Sequence, residues 1–115
     1  MLLNKGDTIL VANRRLFETD ESRFFIGSVD EYEAGIVKAT GRSYVRDVMS
    51  GRMIEKADKR TKILSLSSGT FLIYQIPGAP SPDAMKFTEE EGRLSLTNEK
   101  GFRMDLTERS RYGRA

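Results

Sequence analysis

Apolar positions along the chain fall in short runs separated by polar, glycine-bearing breaks, the pattern of an all-β protein. Gly6-Asp7 is a turn signal, and Thr8 to Ala12 reads as a short buried strand. Asn13 to Ser22 is polar apart from Leu16 and Phe17 and reads as a loop. Arg23 to Tyr32 is a second strand, with Phe24, Ile26, Ser28, Asp30 and Tyr32 on one face and Phe25, Gly27, Val29 and Glu31 on the other. Gly27 predicts a bulge or sharp bend there. Ala34-Gly35 turns the chain into Ile36 to Thr40, Gly41 punctuates, and Ser43 to Val48 is strand-like again. Met49 to Lys62 reads as a long polar excursion. Ile63 to Leu66 and Thr70 to Ile76, joined by Ser67-Ser68-Gly69, read as a hairpin whose second strand is central and covered on both faces.

All three prolines fall in Pro77 to Pro82, where the chain must be extended or turned. This divides the sequence into a small β-barrel domain (1–77), a Pro-rich linker (78–84), an accessory β-hairpin (85–108) and a flexible basic tail (109–115). Arg93 to Leu96 and Phe102 to Leu106 form that hairpin around Asn98-Glu99-Lys100-Gly101, and Glu89-Glu90-Glu91 reads as a solvated approach to it. Five short strands with a bent second strand predict a five-stranded SH3-like or Sm-like barrel followed by a C-terminal β-hairpin extension.

Composition narrows the chemistry. The chain has 115 residues, a net charge of +2, and neither His nor Cys. A histidine base, a thiolate nucleophile, a disulfide and a Cys/His zinc site are all excluded. The mild basic surplus is well below that of a free-standing DNA binder. No long apolar stretch suggests a signal peptide or membrane span, so the expected location is cytoplasmic, with no membrane partner.

Two segments resemble the halves of the Sm/LSm signature. Ser28-Val29-Asp30-Glu31-Tyr32 followed by Ile36-Val37 is similar to the first motif, in which an acidic residue and an aromatic end one strand and a hydrophobic pair opens the next. Gly69 with Tyr74 and Pro77 is similar to the second, and Met49 to Lys62 stands where the family carries its variable region. The resemblance covers residues 8 to 77. Glu33-Ala34-Gly35 stands where the family has a loop Asn, with an apparent one-residue insertion, and Gly27 lies closer to the first motif than the family's second-strand Gly does. Ser68 stands where the family has Arg. Of the family's uridine-binding set only the aromatic, Tyr32, is kept. The resemblance therefore implies the fold and ring assembly more than it implies uridine binding.

Arg42, Tyr44 and Arg46 alternate in a predicted strand and would form a cation–aromatic–cation stripe. Such a stripe suits phosphates and stacked bases, or else is a solvated outer face. Arg52, Lys56, Lys59, Arg60 and Lys62 add positive charge nearby, diluted by Glu55 and Asp58. Arg109, Arg111 and Arg114 flank Tyr112 in a tail that suits an acidic partner or RNA, or is an ordinary frayed end. Asp30, Glu31 and Glu33 alternate across a strand, so they do not converge on a metal. Ser67-Ser68-Gly69 lacks a base and is explained by a turn.

These readings predict a non-enzymatic module that forms a homo-oligomer, a ring being one option, and takes RNA or single-stranded nucleic acid. The expected contacts are Tyr32, Arg42, Tyr44, Arg46, Lys59 and Arg60, with no catalytic residue, metal or cofactor. The alternative is a structural or protein-interaction domain with no nucleic acid, docking through its C-terminal hairpin.

Overall fold

A computed structural model describes residues 2–13, 22–47, 49–90, 93–98 and 101–106. The chain is all-β, with strands β1 (Thr8–Asn13), β2 (Arg23–Glu33), β3 (Ile36–Arg46), β4 (Met53–Glu55), β5 (Arg60–Ser65), β6 (Phe71–Ile76), β7 (Lys86–Glu90), β8 (Arg93–Thr97) and β9 (Arg103–Asp105). It divides into two compact units, Met1–Pro82 and Asp83–Ala115.

The first unit is one antiparallel sheet in the order β4-β3-β2-β1-β6, with β5 also paired to β3. Strand β3 serves two partners on its outer edge: Ile36 to Gly41 pairs with β5, and Tyr44 to Arg46 pairs with β4. Among the described residues no ladder joins β4 or β5 to β6, so the sheet is open at both ends.

Strand β1 is apolar because both its faces are covered. Thr8 to Ala12 of β1 are all buried. One face gathers Ile9, Val11, Phe25, Val29, Val37 and Ala39 into a core with Leu3, flanked by half-buried Tyr32, Leu64, Phe71 and Ile73. On the other face Leu10, Ile26 and Ile76 are also buried.

Two local devices shape the long β2–β3 hairpin. Its turn places Ala34 at φ 45° and Gly35 at φ 81°. Positive φ at both central residues is what the natural twist of a two-residue hairpin demands. Further along, Gly27 and Gly41 face each other across the ladder. A Cβ on Gly41 would overlap the Ile26 carbonyl oxygen and stand 2.5 Å from Gly27 Cα. The glycine pair thus permits a close backbone approach.

The bend expected at Gly27 is this close approach, while the register shift itself falls between Val29 and Glu31. There Asp30 accepts a hydrogen bond from Thr40 Oγ1 at 2.6 Å, and Thr40 meets Thr61 Oγ1 of β5 at 2.8 Å. Asp30 therefore ties three strands together at an irregular point of the sheet.

Several strand readings change. Gly41 does not end a strand; β3 runs through it. The polar excursion contains β4, a three-residue edge strand. The predicted hairpin of Ile63–Leu66 with Thr70–Ile76 does not form. Strand β5 pairs with β3 and β6 with β1, so the turn between them carries the chain from one end of the sheet to the other. Strand β6 is an edge strand, with Leu72 47% exposed, and not a central one.

The second unit is a three-stranded antiparallel sheet in the order β7-β8-β9. The expected β8–β9 pairing is present, with Leu96 opposite Met104. Strand β7 is added, its acidic stretch pairing Glu89 with Leu94. Central β8 buries Leu94, Ser95 and Leu96. Arg14, Arg15, Leu16 and Phe17 lie outside the described residues, as do Glu99 and Lys100 of the β8–β9 turn and the tail 109–115.

Candidate functional site

The sheet register that builds the core also builds a basic cavity at one end of it. Cross-strand pairing sets Arg23 opposite Val45, Phe25 opposite Ser43, and Gly41 opposite Arg60. Gly27 and Gly41 contribute no side chain, and the Phe25 ring lies over Gly27, 2.8 Å from where a Cβ would stand. Lys62, opposite Ala39 on β5, sets its Nζ 4.9 Å from the centre of that ring. The segment between β4 and β5 comes in as Lys56, Ala57 and Asp58, with the Lys56 amide donating to the Ser43 carbonyl at 2.8 Å.

The result is a cavity of about 480 Å³ in the first unit. Arg23, Lys56, Arg60 and Lys62 supply positive charge, Asp58 is the only carboxylate in the lining among the described residues, and Phe24, Phe25 and Tyr44 supply aromatic surface. A volume of this order suits a small ligand or one to two nucleotide units. Like charges around a part-apolar hollow repel one another, and an anion placed among them relieves that repulsion.

Lys62 records the strain. Burial, and then the positive charges of Arg60 and Arg23, hold its pKa below the ordinary lysine value of 10.5. A folded-state pKa lowered in a base means that the protonated form is disfavoured by folding. That cost is fully present at neutral pH and disappears as pH rises through the lowered value toward 10.5. Met keeps the aliphatic stem without the charge. Lys62→Met is therefore expected to raise the melting temperature at pH 7 by about 1–2 °C, a partly solvated charge being well screened. Melting curves at pH 7 and pH 10.5 would check this; a lowered midpoint at pH 7 would contradict it.

The residues singled out from the sequence separate. Tyr44 and Arg60 line the cavity. Arg42 and Arg46 alternate with Tyr44 along β3, but the stripe meets a carboxylate. Glu55 of β4 lies 4.0 Å from Arg42 Nε and accepts from the Tyr44 hydroxyl at 3.3 Å. Arg46 donates from Nε to the Gly51 carbonyl at 3.1 Å. Together with Asp47, which accepts from Ser50 Oγ at 2.7 Å, it braces the turn leading into β4. The Ser50 and Met49 hydrogen bonds hold the Asp47 carboxyl below its usual range. Lys59 is exposed just ahead of β5. Tyr32 is half-buried against the core, opposite Val37.

Sequence reasoning passed over Arg23 and gave Phe25 a strand face. Phe25 is buried, yet it also forms the cavity wall under Lys62. Among the described residues no group of three or more Asp and Glu could hold a metal ion. No helix there is long and apolar enough to cross a membrane. Comparison with known protein families, with curated proteins and with solved structures returns no match for this chain.

Proposed function

We propose that the protein is a non-enzymatic binding module, an Sm-like homo-oligomer that holds single-stranded nucleic acid, RNA first, in the basic aromatic cavity. The observation that carries this reading is the convergence of Arg23, Lys56, Arg60 and Lys62 on the aromatic surface of Phe24, Phe25 and Tyr44. Cations neutralise phosphates and aromatic faces stack bases with little sequence preference. The absence of His and Cys from the sequence weighs for binding over turnover. The strand order β4-β3-β2-β1-β6 is compatible with the Sm-like reading made from the motifs around Tyr32 and Gly69.

Assembly is proposed through the sheet edges. Open edges are sites of strand pairing between chains. At one edge Ile54 of β4 and Ile63 of β5 are 50% and 72% exposed, and at the other Leu72 of β6 is 47% exposed. Pairing of one edge with the other on a neighbour is head-to-tail and closes into a ring if the rotation permits. Ile63→Lys combined with Leu72→Lys is expected to convert the assembly to monomer. Light scattering would check it, and a wild-type chain that is strictly monomeric would remove the ring. The same exposed edges also favour the second reading, a protein-interaction domain without nucleic acid. Titration with labelled oligouridine separates the two: binding that weakens with salt belongs to the first, and its absence at low salt to the second.

A further inference from the structure

Lysine amines become nucleophiles when desolvated or set beside other cations, because more of the neutral form is then present near pH 7. Lys62 has both conditions: it is half-buried, and it shares a cavity with Arg23, Lys56 and Arg60. The surrounding cations also define what could approach it, since an anionic group among them would be held while another part of the same molecule reached Nζ.

We propose that Lys62 captures a small anionic aldehyde, of the phosphorylated-aldehyde class, as an imine inside this cavity. The Nζ lone pair attacks the carbonyl carbon and the carbonyl oxygen takes up a proton, giving a carbinolamine. Loss of one water then forms the C=N bond, so one amine and one aldehyde give one imine and one water, with no oxidant or reductant. Arg23, Lys56 and Arg60 hold the phosphate, and Lys62 supplies the bond. This goes beyond the nucleic-acid reading. It uses the same cavity but does not rest on a strand occupying it.

The full-length protein would be incubated with pyridoxal 5′-phosphate, trapped with borohydride, and mapped by mass spectrometry. Of the six other lysines, the five outside the cavity lining, at positions 5, 38, 59, 86 and 100, are internal controls. Lys62 is expected to carry at least about tenfold more label than any of them. Arg60→Gln should lower Lys62 labelling about fivefold or more while leaving the circular dichroism melt in place. Pyridoxal without the phosphate should label Lys62 weakly. Uniform labelling of the lysines, or equal labelling by pyridoxal, would overturn the proposal. Labelling at Lys62 in a chain that binds no oligouridine would sink the nucleic-acid reading and leave this one standing. Oligouridine binding without selective labelling would do the reverse.

Discussion

Gly41→Ala is expected to destabilise the protein by about 2–3 kcal/mol, the scale of overpacking at a site that cannot relax. The added Cβ would overlap the Ile26 carbonyl oxygen and come within 2.5 Å of Gly27 Cα, so it strikes backbone on the neighbouring strand. A side chain could rotate away; a paired backbone cannot do so without parting β2 from β3. These strands form the longest ladder in the sheet and carry half of its core. In a single-domain-sized protein such a loss lowers the melting temperature by roughly 10 °C. Gly35 is the matched control. Its φ of 81° disfavours alanine, but a Cβ there meets nothing within 4 Å, so Gly35→Ala should cost only about 1 kcal/mol. Urea unfolding of both variants would check the contrast, and equal losses would contradict the close-approach account. Because the same glycine pair leaves the space that Phe25 and Lys62 border, Gly41→Ala should also weaken ligand binding in the fraction that remains folded.

Arg60→Gln with Lys56→Gln should weaken oligouridine binding at least about tenfold at low salt, and should flatten its salt dependence. If a bound strand has three to four phosphates neutralised in all, one to two of them in this cavity, affinity falls roughly 20–50-fold between about 50 mM and 200 mM salt in the unaltered chain. Removing two cations lowers the slope of log K against log salt by about 1.4. Arg42→Gln with Arg46→Gln is the informative comparison. Arg42 lies beside Glu55 and Arg46 bonds the Gly51 carbonyl, so this pair should alter binding much less. Fluorescence anisotropy at two salt concentrations would read both pairs, and a larger loss from the Arg42 and Arg46 pair would move the site to the stripe.

The all-β class was legible because the central strands write their burial into the sequence. Thr8 to Ala12 is a continuous run since β1 is covered on both faces, and Phe25 and Val29 alternate because they share the core face of β2. Partners were less legible than strands. Ser67-Ser68-Gly69 has the composition of a hairpin turn, but β5 and β6 find longer ladders with β3 and β1, a choice made by residues about twenty to seventy positions away. Strands β4 and β7 were missed because edge strands need no apolar run; Met53-Ile54-Glu55 and Lys86 to Glu90 satisfy their backbone bonds on one side only.

The cavity was the least legible feature. Tyr44 and the cations Lys56, Arg60 and Lys62 stood out, but Arg23 and Phe25 beside them did not. Arg23, Phe25 and Lys62 come together only through the register that sets Phe25 opposite Ser43, and Lys62 opposite Ala39. Period-two alternation predicts which face a residue takes, and says nothing of which strand will lie beside it. The stripe of Arg42, Tyr44 and Arg46 shows the converse. Its spacing along β3 was plain in the sequence, whereas Glu55 entered only through the β3–β4 ladder.

The most direct test of the proposed site is photo-crosslinking of the full-length protein to a 4-thiouridine oligonucleotide of about ten residues at low salt. Adducts would be mapped by mass spectrometry. The account predicts adducts on Phe24, Phe25 or Tyr44, the aromatic lining, competed away by excess oligouridine and reduced by Arg60→Gln. Adducts confined to Tyr32 or to the second unit, or no adduct at low salt, would contradict it.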